Sequence, residues 1–280
     1  MRLGVMSFNT EYTIRADELA IEAEARGFES VWFPEHTHIP AGRKTPYPAG
    51  GDLPKEYIHM SDPFISCGVA AAVTKDLIVG TGVSLVPQHE PLAMAKRVAT
   101  LDRLTNGRFE YGIGAGWNED EMENHGVNYK QRWAVTREKV LAMKEVWSND
   151  EAEFHGEHVD FDPLWSWPKP TQEGGPRIWM GANSKWVYDR VAEYCDGWMP
   201  IGGLGSGGAE RMQEALEAKG RKLEDLDMAL FAAPADYDQL RFRIDQGFEH
   251  LVFSLPPAGE DKILPLLDDL AALADRARGG

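Results

Sequence analysis

The stretch VGTGVSLVPQHEPLAMAKRVATLDRLTNGRFEYGIGAGW, from Val79 to Trp117, decides the fold. An apolar strand runs into small residues, a helix is entered through Pro91 and left through Gly107, and a second strand ends on Gly112, Gly114 and Gly116. Proline suits the first helical position, where no N–H is needed, and glycine suits the residue just past the last turn. The pattern is a βαβ unit whose strand ends are small enough for a flat ligand to lie against the backbone.

Upstream, Arg2 to Phe8 reads as a strand, and Ala16, Leu19, Ala20 and Ala23 recur at helical spacing until Gly27 stops them. A second strand, Ser30 to Phe33, ends in Pro34-Glu35-His36-Thr37-His38, and from there to Ser61 the chain is rich in Pro, Gly and charge and has no period. A loop of that length in a compact domain points to a lid or a binding loop. Ser61-Asp62-Pro63 then opens a helix of small apolar residues. Within the deciding stretch, Leu77 to Val83 is the third strand and Arg108 to Ile113 the fourth.

Downstream, Asn118 with Glu121 three residues later has the form of a reciprocal N-cap, which starts a short helix after Trp117. A longer helix spans Arg132 to Trp147. The segment from Ala152 to Pro176 breaks the rhythm with a hairpin at His155-Gly156-Glu157 and the run Leu164-Trp165-Ser166-Trp167-Pro168-Lys169-Pro170. It is too short to own a core and reads as an insertion between the fourth helix and the fifth strand. Strands five to eight follow at Arg177 to Met180, Gly197 to Pro200, Met228 to Ala232 and His250 to Ser254, with a glycine-rich loop through Gly208 after the sixth. The last helix places Ile263, Leu266, Leu267, Leu270 and Ala274 on one face. The fold class is α/β: a (β/α)8 TIM barrel over residues 1–280 as one domain, with a doubly wound open sheet as the alternative.

Composition narrows the partners. A chain of 280 residues with 43% hydrophobic residues can bury one large core. The net charge of −16 argues against nucleic acid and anionic membranes, both polyanions. No segment approaches the roughly 20 apolar residues of a membrane span, and the N-terminal apolar run is too short for a signal peptide. Cys67 and Cys195 are the only cysteines, which suits a reducing compartment, so a cytoplasmic location is expected.

In such a barrel the chemistry sits just after each strand. Those positions hold Glu35 and His36, then Gly82, Val83 and Ser84, then Ala115, Gly116 and Trp117, then Gly181, Ala182, Asn183 and Ser184. No nucleophile stands beside a base. Small residues, tryptophan and a helix start suit an aromatic cofactor that carries a phosphate. Gly181 to Ser184 reads as the anion site at a helix N-terminus, or simply as the cap of that helix. Gly112-x-Gly114-x-Gly116 is not a dinucleotide fingerprint, because Trp117 stands where the third Gly is needed. Trp117 is either a wall for a planar ring or a side chain packed under the next helix. Glu35-His36-x-His38 admits two chemistries: a metal site short of further ligands, or a proton-handling His36 tuned or oriented by Glu35. A solvated loop histidine is the plain alternative.

Taken together, Phe33-Pro34-Glu35-His36, Gly80-Thr81-Gly82-Val83-x-Leu85-x-Pro87, Leu101-Asp102-x-Leu104-x-x-Gly107-Arg108, Gly112-x-Gly114-x-Gly116-Trp117 and Met180-Gly181-Ala182-Asn183-Ser184 resemble the bacterial luciferase-like superfamily. Within it the chain is most similar to oxidoreductases that use the deazaflavin coenzyme F420. The resemblance implies a (β/α)8 barrel with an insertion near the fifth strand, a pocket at the C-terminal face and a homodimer. It also implies a non-proline cis peptide at Gly82-Val83 against one face of the cofactor ring, His36 near the reactive carbon, and Gly181 to Ser184 at the cofactor phosphate. Some F420 dehydrogenases carry a catalytic Glu where this chain has Trp117, so their sugar-phosphate chemistry does not transfer. The expectation is an F420-dependent hydride transfer to or from an apolar or aromatic small molecule, with no metal. The Arg43-Lys44 pair would meet the acidic tail of F420, and the loop from Ile39 to Met60 with Trp165 and Trp167 would overhang the cofactor. The alternatives are an FMN-dependent monooxygenase and a metal-dependent barrel hydrolase built on Glu35, His36 and His38.

Overall fold

A computed structural model describes residues 1–203 and 208–279. Eight parallel strand positions close on themselves. Strand β1 (Arg2–Met6) pairs with β2 (Ser30–Phe33), β2 with β3 (Ile78–Thr81), and β3 with β5 (Phe109–Gly114). From β5 the ladder continues through β8 (Ile178–Met180), β9 (Gly197–Trp198) and β10 (Asp227–Phe231) to β11 (His250–Ser254), which returns to β1. The helices between them are α1 (Ala16–Ala25), α2 (Pro63–Ala72), α3 (Pro91–Leu104), the pair α4 (Glu119–Asn124) and α5 (Arg132–Ser148), then α6 (Val187–Tyr194), α7 (Gly208–Glu217), α8 (Tyr237–Asp245) and α9 (Glu260–Gly279). This is the expected (β/α)8 barrel, and the open-sheet alternative falls with the closing β11–β1 ladder.

Two boundaries differ from the sequence reading in ways that matter for the site. The third barrel strand is not continuous to Val83. It stops at Thr81 and resumes as β4 (Ser84–Leu85), which pairs with Ile113 and Gly114 of β5, and the peptide between Gly82 and Val83 is cis. The helix after the fifth strand position begins at Val187, and not directly after Ser184 as the reading of 181–184 as a helix N-terminus requires. The glycine-rich stretch read after the sixth strand lies, over 204–207, outside the described residues.

The barrel interior is filled by indoles that adjacent glycines admit. Trp32 and Trp179 meet edge to face at 6.1 Å, and Phe231 meets Trp32 at 5.3 Å. A Cβ on Gly80 would lie 2.4 Å from the Trp32 ring, and one on Gly197 would lie 2.4 Å from the Trp179 ring. Each glycine on one strand is therefore the space for a tryptophan on its neighbour, the large-against-small layering of a packed barrel core. A second, larger apolar layer lies between the barrel and its helices, with Leu19, Val98, Met143 and Leu267 among its buried members.

The insertion is a hairpin of β6 (Ala152–His155) and β7 (Asp160–Leu164), placed between α5 and β8 as read. It does not overhang the mouth through its tryptophans. The Glu138 carboxylate on α5 accepts the main-chain N–H groups of Glu157, His158 and Val159, and Asp102 at the end of α3 accepts those of Thr171 and Gln172. These anchors draw the segment along the outside of α5 and α3, and leave Trp165 77% and Trp167 58% exposed. Both cysteines are buried free thiols, and among the described residues no helix is long and apolar enough to cross a membrane.

Candidate active site

His36 lies three residues past the end of β2 and is almost wholly buried. Its Nδ1 is 2.6 Å from Glu121 Oε2, and its Nε2 accepts from the indole N–H of Trp117 at 3.3 Å. A carboxylate on one side and a donor on the other assign the proton to Nδ1 and leave the lone pair on Nε2. Glu121 is buried on α4, and its second oxygen, Oε1, has no partner. The expected reciprocal cap does not form: Asn118 makes no side-chain cap bond, because Glu121 is turned inward to the histidine.

An aromatic rim closes over this pair. Tyr57 lies 5.4 Å from the His36 ring and 6.3 Å from Trp117, and Tyr47 lies 5.4 Å from Tyr57 and 5.9 Å from Trp117. The Arg43 guanidinium sits over the Trp117 ring at 5.6 Å, so cation–π attraction adds to the stack. Burial pushes the Tyr57 phenol well above its ordinary pKa, with the neighbouring Tyr47 acting in the same direction, so it stays protonated and donates or accepts through O–H. Much of the long loop from 34 to 61 is thus folded onto the strand end. It is held there by Asp120, which accepts from the N–H groups of Lys44 and Thr45 and from the Thr45 hydroxyl.

Glu35 does not orient His36. Its carboxylate accepts from the Ser84 hydroxyl at 2.9 Å, from Leu85 N–H at 2.6 Å and from His89 Nε2 at 2.9 Å. Burial alone would raise this carboxyl, but the bonds from His89, Leu85 and Ser84 outweigh it and hold it below its ordinary value. Glu35 is a clamp on β4, directly after the cis peptide. The set Glu35, His36 and His38 read as a metal site is likewise not brought together. His36 is taken by Glu121 and Trp117, whereas His38 bonds Thr37 Oγ1 and Asn124 Nδ2.

The glycines at the strand ends have a definite occupant. A Cβ on Gly181 would lie 2.4 Å from Val83 Cγ1, and one on Gly114 would lie 2.8 Å from Val83 Cγ2. Val83 is cradled between the ends of β5 and β8, so these glycines accommodate a side chain and do not themselves offer a bare surface. Gly116 has φ +77°, which turns the chain from β5 towards Trp117, while Ser84 and Ala115 are buried behind the turn. At 181–184, Asn183 caps no helix. Its amide donates to Ile201 O at 2.7 Å and accepts from Ile201 N–H at 3.3 Å, tying β8 to the segment after β9. Gly181 N–H bonds Ile113 O and Val187 N–H bonds Ser184 O, and the N–H groups between them meet no protein acceptor among the described residues. That turn fits a ligand oxyanion, though as a strand-end loop and not as a helix N-terminus.

Glu121, Tyr57 and His89 were not singled out by the sequence as partners of the site. Glu121 reads as a cap by its spacing, and the long loop carries no period that would bring Tyr57 to a strand 24 residues earlier, at Phe33.

The site is thus a closed parallel barrel with a cis peptide at the end of its third strand position and a buried histidine at its C-terminal mouth. The chain belongs to the luciferase-like monooxygenase family, which it matches over residues 1–238. It is 35% identical to the uncharacterized protein Rv0953c of Mycobacterium tuberculosis, over 97% of this chain and 98% of that one. An FMNH(2)-dependent dimethylsulfone monooxygenase of Pseudomonas fluorescens is 31% identical over 59% of this chain and 44% of its own length. Among solved structures, an F420-dependent secondary alcohol dehydrogenase in complex with an F420-acetone adduct superposes with a TM-score of 0.77 at 18% identity, covering 99% of each chain.

Proposed function

We propose that the protein is an F420-dependent oxidoreductase that passes a hydride between the deazaflavin and an apolar or aromatic small molecule. The observation that carries this is His36, buried at the mouth with a carboxylate behind Nδ1 and its Nε2 bonded to nothing stronger than a 3.3 Å indole N–H. F420, when bound, supplies a two-electron carrier that gives or takes a hydride. The protein must then handle a proton beside it, and His36 Nε2 is the group to do so. Glu121 stabilises the imidazolium, and the Trp117 contact is long enough to be exchanged for a substrate oxygen.

Val83 in its glycine cradle and Trp117 would border the ring, and the free N–H groups of 182–185 would take the phosphate. F420 is favoured over FMN by the motif resemblance and by the cations at the rim. Arg43 over Trp117 and the exposed Lys44 are positive charges at the mouth of a protein of net charge −16, which suits an anionic tail.

The protein purified from a host that makes F420 and titrated with F420 and with FMN should quench F420 fluorescence saturably and bind it more tightly than FMN. Preferential tight binding of FMN would overturn the choice and favour a monooxygenase.

A further inference from the structure

We infer that His38, His125 and Glu121 form a binding site for a divalent transition metal of the zinc class, at the C-terminal mouth of the barrel and one carboxylate away from His36. Candidate ligand atoms of these three residues lie within 4.8 Å of one another. Two imidazoles and a carboxylate are a ligand set that suits zinc and leaves room for a solvent ligand.

The arrangement is more than proximity. Thr37 Oγ1 contacts His38 Nδ1 at 2.9 Å and His125 Nε2 at 2.8 Å, so one hydroxyl holds both rings to a common point, their centroids 5.5 Å apart. Asn124 Nδ2 contacts His38 Nε2 at 2.9 Å. A ligating nitrogen gives up one of these neutral partners for the metal, a modest loss beside a metal–nitrogen bond. The independent sign of a missing ligand is Glu121. Its Oε2 is satisfied by His36, but Oε1 is buried without any partner. Leaving a buried carboxylate oxygen unmet costs free energy, and buried polar atoms of this kind are normally satisfied.

The three ligands come from two elements. His38 belongs to the long loop after β2, and Glu121 and His125 belong to α4 and its C-terminal cap. A metal there would clasp the loop to α4. Because Glu121 would bridge the metal and His36 Nδ1, it would also draw charge from the carboxylate that backs His36.

The test uses the whole protein stripped with a chelator and titrated with Co2+, with d–d absorption as the readout and Zn2+ as competitor. One equivalent of Co2+ should bind and be displaced by Zn2+. His38→Ala and His125→Ala should each weaken binding by about tenfold or more, with His125→Asn as a milder variant if the alanine form melts early. His155→Ala should leave binding unchanged, since His155 sits on the far hairpin with Glu153 and Asp160. Absence of saturable binding, wild-type affinity in both histidine variants, or loss of binding in His155→Ala would each overturn the site.

Discussion

His36 takes both of its polar partners from one segment far along the chain, Trp117 and Glu121, at sequence separations of 81 and 85. The segment reaches it because Gly116, at φ +77°, reverses the chain at the end of β5. The same economy of small residues governs Val83. Its two methyl groups occupy the volumes that Cβ atoms on Gly114 and Gly181 would fill. Gly181→Ala should therefore destabilise the fold by about 1–3 kcal/mol through overpacking, read as a lower urea midpoint at unchanged slope. Removing the obstacle should recover most of that loss: in Val83→Ala, the added Gly181→Ala should cost less than about 0.5 kcal/mol, a coupling that a double-mutant cycle measures. Equal costs in the two backgrounds would mean that Gly181 is required for its backbone and not for Val83.

At the scale of elements, carboxylates hold the loops. Glu24 accepts the N–H groups of Lys75, Asp76 and Leu77, Glu35 clamps β4, Asp102 and Glu138 hold the insertion, and Asp120 pins residues 44–45 of the long loop to α4. Part of the acidic balance is thus structural: Glu24, Asp102, Asp120 and Glu138 each meet consecutive main-chain donors that would otherwise need water, and Glu35 meets one with the Ser84 hydroxyl and His89 beside it. Asp120→Ala should free the loop without unfolding the barrel. The Lys44 and Thr45 amides should exchange about tenfold faster or more, while exchange in the barrel strands stays the same, measured by hydrogen exchange at neutral pH. The Thr45 hydroxyl and the Thr45 and Lys44 N–H groups hold the Asp120 carboxyl down to about 2, below its ordinary 3.8. The anchor is therefore fully present above the ordinary value and is lost as pH falls through about 2.

These clamps also mark the limit of what the sequence discloses. Strand and helix periods, the Pro91 and Gly107 boundaries and the Asp62-Pro63 start are local signals, and the barrel follows from them. Glu35 beside His36 and Glu121 three residues after Asn118 suggest local pairings, yet both carboxylates act across the fold. Spacing along the chain carries no information about which side chains a barrel closure brings together.

For the whole molecule, the floor of the barrel, opposite the mouth at which we propose the chemistry, carries a second buried histidine. At the bottom of the barrel the Ser30 hydroxyl accepts from Trp32 Nε1 at 2.9 Å and is hydrogen-bonded to His250 Nε2 at 2.8 Å, while His250 Nδ1 has no partner. Gly4 is the space for this group, since a Cβ there would lie 2.1 Å from Ser30 Oγ. Burial, and after it the positive charges of Arg2 and the N-terminus, bring the His250 pKa down from 6.5 to about 3. The unfolded chain binds a proton at this residue below about 6.5, and the native barrel does not until about 3, so stability falls as pH drops through that window and is fully present above it. One such proton gives a slope of at most about 1.4 kcal/mol per pH unit. Glu110, also buried at the floor beside Arg2, works in the opposite sense. Burial raises its carboxyl, so its contribution to stability declines as pH rises through its folded value. Wild type and His250→Gln share Glu110, so the difference between their unfolding free energies isolates the histidine. Between pH 6.5 and 4 that difference should narrow steadily, because the glutamine has no proton to take up. Parallel curves from urea titrations across this range would mean that His250 is protonated in the native barrel, and that its charge is met at the floor.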